Sequence, residues 1–477
     1  LKTAQEVVEY LYDWFNNLIT PKVSIKDGEV TIDNESITVD GDVSIEGAVT
    51  VNGVVGIDQA TANANEVVVK PNKDNPLYIR IADTYNPNLD AFGRVRISNP
   101  TSVFDSQLQY DAQPLIWQSV LTGTGTATHL PNESSVRMRC STSSGDKVIR
   151  QTKRYFKYQS GKSCLVEMTG VMGAKKANVR QRIGQFDTNN GLFFEQDSSN
   201  LKVVRRTYAS ATPIDTAINQ SDWNIDKLDG TGTSGITLNM SKTHIFVIDY
   251  QWLGVGRIRF GFVIDGDLVY CHTIMNANIL TEVYMTTANL PLRYEIENTG
   301  ETASITDMKQ ICSAVMSEGG YEEEYGITRT ASNGITPIAC TSRRPILTIR
   351  PKATFNSITN RGTVLPLSID LHVATNSAYY EIVVNGSLTG ASYASLGTNS
   401  ISEFDVASTA ISGGEVIGSG YVSASASTRN QLTELIKSKL VLVNDYAGTT
   451  PDTLSIVITS MSGTSNVASS LDVKELY

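Results

Sequence analysis

Between Pro21 and Ile57 the chain repeats one small pattern, an apolar doublet at alternate positions followed by a turn. This repeat constrains the fold more than any other stretch of the 477 residues. The doublets are Val23/Ile25, Val30/Ile32, Ile37/Val39, Val43/Ile45, Val49/Val51 and Val55/Ile57, with starts seven, seven, six, six and six residues apart. Asp27-Gly28, Asp33-Asn34, Asp40-Gly41, Glu46-Gly47 and Asn52-Gly53 separate them. These residue types enter left-handed turns with little strain. A single-chain β-helix needs about three such units per rung, so this run builds two rungs, fewer than the ~3 repeats that stacking demands. One chain cannot hide the doublets alone, whereas three chains wound about a common axis can. The repeat therefore predicts a thin homotrimeric stalk over residues 21–58.

Ahead of it, Val7, Val8, Leu11, Trp14, Phe15, Leu18 and Ile19 recur at steps of three and four, which paints one apolar stripe on a helix over residues 1–20. Thr3 and Glu6 form a capping box, and Pro21 ends the run. An isolated helix of this length is marginal in water. Its stripe, Val7, Leu11, Trp14, Phe15 and Leu18 above all, is expected to bundle with copies of itself or to anchor on another protein.

Residues 59–104 read as a turn-rich connector. From there to residue 327 the chain alternates short β-like runs, such as Ser163–Thr169, Leu201–Tyr208, His244–Tyr250, Arg257–Ile264 and Leu268–Cys271, with Gly, Asn and Asp turns. Many strands without intervening helices imply a mainly β chain whose body is an antiparallel, jelly-roll-like sandwich over 105–327. Similar runs at Pro345–Arg350, Leu365–His372, Tyr379–Val384 and Leu454–Thr459 predict a second β domain, or an extension of the first, over 328–477. Within that span a helix is expected only at Arg429–Lys439.

Chemistry is hard to find. The five cysteines are far apart and form no C-x-x-C pair, and the four histidines have no neighbour at ligand spacing, so neither a metal nor any other cofactor is expected. Gly230–Gly235 matches G-x-G-x-x-G letter by letter but leads into a strand-like run, which makes it a loop rather than a dinucleotide fingerprint. Ten basic residues between Lys147 and Arg182 face one acid, Glu167. They read as charges guarding strand edges, or as a patch for an acidic neighbour such as Glu322-Glu323-Glu324. A net charge of −10 argues against nucleic acid as partner. No window approaches the ~18 apolar residues of a membrane span. The start lacks the pattern of a secretory signal, and the expectation is a soluble protein made without export.

Asp90–Arg96, Phe104-Asp105-Ser106, Tyr110-Asp111, Gln251–Gly256, Leu290–Glu295, Ser317–Tyr321 and Lys474–Tyr477 together resemble segments of structural proteins of tailed bacteriophages. With the stalk, this resemblance implies a non-enzymatic virion protein, a homotrimeric fibre or spike on the particle exterior, made in the host cytoplasm. It would be attached by its N-terminus to capsid, collar, tail or baseplate proteins and would touch a host surface glycan or protein. The alternatives are a static decoration or joint protein and, less favoured, a polysaccharide depolymerase. The helix stripe and the doublets Val23, Ile25, Val30, Ile32, Ile37, Val39, Val43, Ile45, Val49 and Val51 would form the oligomer interface. Trp223 and Tyr393 are the candidate host contacts, although a core position is the preferred reading of Trp223.

Overall fold

The computed structural model describes residues 89–92, 100–320, 326–431 and 441–477, all within the compact unit Ile81–Tyr477. The expected anchoring helix, the stalk and most of the connector lie outside the described residues.

Two antiparallel sheets form the first sandwich. An eight-stranded sheet runs in the order Asp267–Ile274, Ile258–Ile264, His244–Tyr250, Ser163–Val171, Thr306–Glu318, Ser135–Cys140, Thr126–Leu130, with Thr101–Gln107 also paired to Thr306–Glu318. A seven-stranded sheet runs Ile214–Asn219, Leu201–Thr207, Gly191–Gln196, Val179–Phe186, Leu292–Asn298, Lys147–Thr152, Trp117–Thr122. Strands distant in sequence are neighbours in both sheets, the jelly-roll-like mainly β architecture that the short, helix-free runs imply. Alternation decides the packing. Phe246, Ile248 and Tyr250 point inward from one strand and Phe260 and Phe262 from the next, meeting Leu192, Phe194, Tyr294 and Ile296 of the facing sheet in a single apolar core. Full burial of each such side chain contributes about 1.5–3 kcal/mol before conformational entropy is counted.

On the outer face of the eight-stranded sheet, Asp249 and Arg259 form a fully buried ion pair beneath the end of the connector. Tyr270 Oη donates to Asp249 at 2.6 Å, and Ser163 Oγ donates to the same carboxylate at 3.0 Å. Arg259 also donates to the Leu89 carbonyl, and Arg257 donates to those of Asp90 and Ala91 at 3.0 and 3.1 Å. The short segment 89–91 is thereby tied down.

A second sandwich follows. One sheet is ordered Ile327–Ser332, Ser465–Leu476, Thr363–Val373, Ala426–Gln431, with Ile338–Cys340 also on Ser465–Leu476. The other is ordered Ala394–Ser395, Ser402–Asp405, Arg344–Pro351, Leu454–Ser460, Ala378–Val384, Glu415–Val422. Ile349, Leu371, Val373, Ile382, Ile456, Val467 and Leu471 fill its own core. One expectation fails here. Residues Arg429–Gln431, expected to open a helix, end a strand instead, because Ala426–Gln431 pairs with Ser368–Val373 and the ladder overrides local helical preference. Residues 432–440 lie outside the described set.

Candidate functional site

The basic stretch supplies the first candidate, on the outer face of the seven-stranded sheet. Arg182 donates to Glu195 at 2.7 Å and to Glu295 at 3.1 Å, and Arg293 reaches the second Glu295 oxygen at 2.6 Å. Arg180 pairs with Glu297 at 2.6 Å, and Lys147 sits 3.4 Å from Glu295. Beneath these groups Phe186 and Phe193 pack with ring centroids 4.4 Å apart, and the guanidiniums of Arg182, Arg206 and Arg293 lie 5.1–5.3 Å from those rings. Burial alone would raise the Glu295 carboxyl, but Arg293, Lys147, Arg182 and Arg180 hold it at about 2. A glycosidase pair needs one carboxyl kept protonated. Glu295 is instead fixed as an anion with both oxygens occupied. For Lys147, Arg180 and Arg182 the expectation of a solvent-facing or subunit-facing charge is corrected: their partners are acids of the same sheet, brought close only by folding. Glu322, Glu323 and Glu324 lie outside the described residues.

Cysteine and glycine motifs are likewise absorbed by structure. None of the five cysteines is disulfide-bonded, and burial pushes the Cys140 and Cys164 thiols up to about 12, far from a nucleophilic thiolate. The described residues contain no group of three metal-ligating side chains. Gly230–Gly235 wraps the Asp226 carboxylate, which accepts the backbone N–H of Ser234 at 2.7 Å and of Leu228 at 2.9 Å. A Cβ on Gly232 would stand 1.9 Å from that carboxylate. The glycines are there to let the loop close on Asp226.

The second candidate is a cleft of about 790 Å3 between the two sandwiches. One wall comes from the strands Trp117–Thr122 and Lys147–Thr152, presenting Trp117, Gln118, Ser119 and Arg150, with Lys153 just beyond. Asn385, Asp445 and Asp452 form the other wall, on the turns that flank Leu454–Ser460. Specific contacts hold the walls in register. Gln118 Oε1 accepts the Tyr446 N–H at 2.7 Å. Arg361 donates at 2.7 Å to the carbonyls of both Asp445 and Tyr446 while lying 4.9 Å from the Tyr155 ring. At the rim Gly414 adopts φ +78° against Gly386, and a Cβ there would come within 2.8 Å of the Gly386 backbone.

Inside the cleft the charges differ in their surroundings. Asp445 Oδ1 is occupied by the N–H groups of Thr449 and Thr450, at 2.8 and 3.0 Å. Asp452 accepts Asn385 Nδ2 at 3.0 Å and the Val443 N–H at 3.3 Å. Burial raises the Asp452 carboxyl against the opposing pull of Lys153 and those donors, and the nearby Asp445 charge adds to the rise. Arg150 donates to Gln310 Oε1 at 2.9 Å, Ser119 Oγ at 3.1 Å and the Ala112 carbonyl at 2.7 Å, with its guanidinium 5.7 Å from the Trp117 ring. Among the described residues no carboxylate stands at ion-pair distance from it.

The residues singled out from sequence are not in this cleft. The interface set from Val7 to Val51 lies outside the described residues. Trp223 is 3% exposed in the first core, so its ring offers no surface. Tyr393 is stacked 3.5 Å from the Arg350 guanidinium, which Glu403 anchors at 2.7 Å. Arg150, Asn385, Asp445 and Asp452 were not singled out as site residues. Only Arg150 carried a signal, a cation at an inward position of the alternating run Val148, Arg150, Thr152.

No family model and no curated protein matches the sequence. Among solved structures the chain is similar to a glycoside hydrolase family protein from Mycobacterium thermorestibile, at 13% identity and TM-score 0.32, over 45% of this chain and 99% of that one. It is also similar to a legume lectin-like domain from Entamoeba histolytica, at 11% identity and TM-score 0.27 over 46% and 98%. The Crh5 transglycosylase in complex with NAG matches at 14% and 0.30 over 47% and 88%. These neighbours correct the virion expectation. They are described as a glycoside hydrolase, a legume lectin-like domain and a transglycosylase, and none as a phage appendage, so the fibre or spike role, the virion partners, the particle-exterior location and the exclusion of enzymatic activity find no support and are not carried forward. At such TM-scores the matches carry no argument about substrate or catalytic residues, which rests on the chain's own geometry.

Proposed function

We propose that the chain is a carbohydrate-binding protein that seats a saccharide in the cleft between its two sandwiches. The observation that supports this reading is the lining: amide, hydroxyl, cationic and carboxylate side chains converge from both sandwiches beside Trp117 and Pro451. Its volume of about 790 Å3 falls within the range of ligand clefts. A sugar presents a dense alternation of hydrogen-bond donors and acceptors around an apolar ring face. Gln118 Nε2, the Ser119 hydroxyl proton and the unpartnered Thr453 Oγ1 keep hydrogen-bonding capacity beyond the contacts inside the protein, which a sugar can use and an apolar ligand cannot. A second reading, glycoside cleavage, is favoured by one observation: burial raises the Asp452 carboxyl, and a second carboxyl, Asp445, lines the same cleft.

The test uses the full chain, titrated calorimetrically with a panel of oligosaccharides. Saccharide binding that disappears in Ser119→Trp, an aromatic placed on the exposed edge strand and into the cleft, supports the reading. Binding that Ser119→Trp leaves intact, or no binding across the panel, overturns it. Release of reducing ends that is abolished by Asp452→Asn adds cleavage to recognition.

A further inference from the structure

Four arginines are buried among the described residues: Arg150, Arg182, Arg259 and Arg293. Three of them meet a carboxylate, Arg182 on Glu195 and Glu295, Arg259 on Asp249, Arg293 on Glu295. That is the ordinary condition of a buried charge, because a guanidinium taken out of water costs several kcal/mol unless an anion offsets it. Arg150 is the exception. At 2% exposed, it has only neutral hydrogen-bond partners, an amide oxygen, a hydroxyl and a backbone carbonyl, and the Asp111 carboxylate acts on it only from beyond ion-pair distance. The consequence is visible in its acidity: burial lowers Arg150 to about 10, whereas Arg182, equally deep, is raised by Glu295 and Glu195 against the same burial. Arg150 remains a full cation at neutral pH.

The neutral contacts occupy Nε and one N–H on each terminal nitrogen, and Arg150 lines the cleft wall. Lys153, three residues on and just past the strand end, has no ion-pair partner among the described residues and acts on Asp452 only at longer range. Two cations thus stand on one wall without a carboxylate paired to either. Asp445 does not supply one, since Thr449 and Thr450 hold its Oδ1 within its own turn. Asp452, tied to Asn385 and Val443, does not supply one either.

We propose that the cleft takes an anionic sugar, whose carboxylate or sulfate group supplies the counter-charge that Arg150 lacks, with Lys153 as the outer contact. This rests on the saccharide-binding reading above and narrows its ligand class. A planar carboxylate or a sulfate matches the remaining N–H groups of a fixed guanidinium, and each charge-assisted bond adds more than a neutral one.

The experiment titrates the full chain with oligogalacturonate, with a sulfated dextran oligosaccharide and with a neutral cello-oligosaccharide, at low and high salt. The expected result is that at least one anionic probe binds about tenfold tighter than the neutral one, and that Lys153→Gln removes much of this margin. Adding salt is expected to shrink it further. Arg150→Lys, which keeps the charge but loses the fork, should weaken the anionic probe several-fold more than the neutral one. Which anionic probe is preferred distinguishes carboxylate from sulfate. Equal affinity for neutral and anionic probes, or a margin untouched by both Lys153→Gln and Arg150→Lys, overturns the proposal while the saccharide-binding reading stands. Loss of all binding in the parent chain overturns both. Lys153 is only half-buried, so its variant retains a folded test even where an Arg150 substitution unfolds the protein.

Discussion

The seven-stranded sheet carries buried arginines in two settings, and they behave as opposites. On its outer face Arg182 and Arg293 sit among Glu195, Glu295 and Glu297, every charge answered by its neighbour and the aliphatic stems laid over Phe186 and Phe193. On its inner face, at the edge next to the cleft, Arg150 is hydrogen-bonded by neutral groups, with the Asp111 charge acting only at longer range. The first setting closes on itself and has little capacity left for a ligand. The second holds a charge that its own fold does not neutralise. Depth of burial is therefore a poor guide to function here, and the identity of the partner is a good one.

Three substitutions sharpen or break this contrast. The largest effect is expected from Glu295→Gln, which leaves the buried Arg293 and Arg182 facing a neutral amide and should cost about 3–5 kcal/mol in urea denaturation. The same variant changes the acid response. Glu295 is held at about 2 in the folded protein, below its unfolded value of ~4.3, so its stabilisation is complete above that unfolded value and is lost as the pH falls toward 2. Glu295→Gln should flatten that part of the stability curve. A smaller effect is expected from Arg150→Met, within about 1–2 kcal/mol of the parent, because relief of desolvation offsets the acceptors left unpaired. If Arg150→Met costs as much as Glu295→Gln, the distinction between the two faces is wrong. Smallest is Tyr393→Leu, which removes a ring from a half-exposed guanidinium and should lower stability by about 0.5–1 kcal/mol, measured as a shift in denaturation midpoint.

The β architecture was legible because its signal is local. His244–Tyr250 alternates inward Phe246, Ile248 and Tyr250 with outward residues, and that period survives folding unchanged. Arg429–Gln431, the opening of the expected helix, misled for the complementary reason. The edge offered by Ser368–Val373, with which these residues pair, lies elsewhere in the chain and cannot be read from the segment itself, while Leu432, Leu435 and Ile436 lie outside the described residues. The cleft is harder still. Lys147, Arg150, Arg180 and Arg182 look alike as a basic run, and only the return of Leu292–Asn298 between Lys147–Thr152 and Val179–Phe186 gives the others their glutamates and leaves Arg150 without one. Asp445 and Asp452 reach the same space from the far end of the chain, with no spacing that links them to Arg150.

The tie-down at Leu89–Ala91 has a mechanical consequence. Tension entering the body at Leu89 is borne first by Arg257 and Arg259, rooted in an interior strand of the eight-stranded sheet, and not by the outlying strand Thr101–Gln107. A pull that would otherwise unzip that outlying strand one bond at a time must instead break several anchored bonds together, so the protein should resist extension from that end better than its sheet order alone implies.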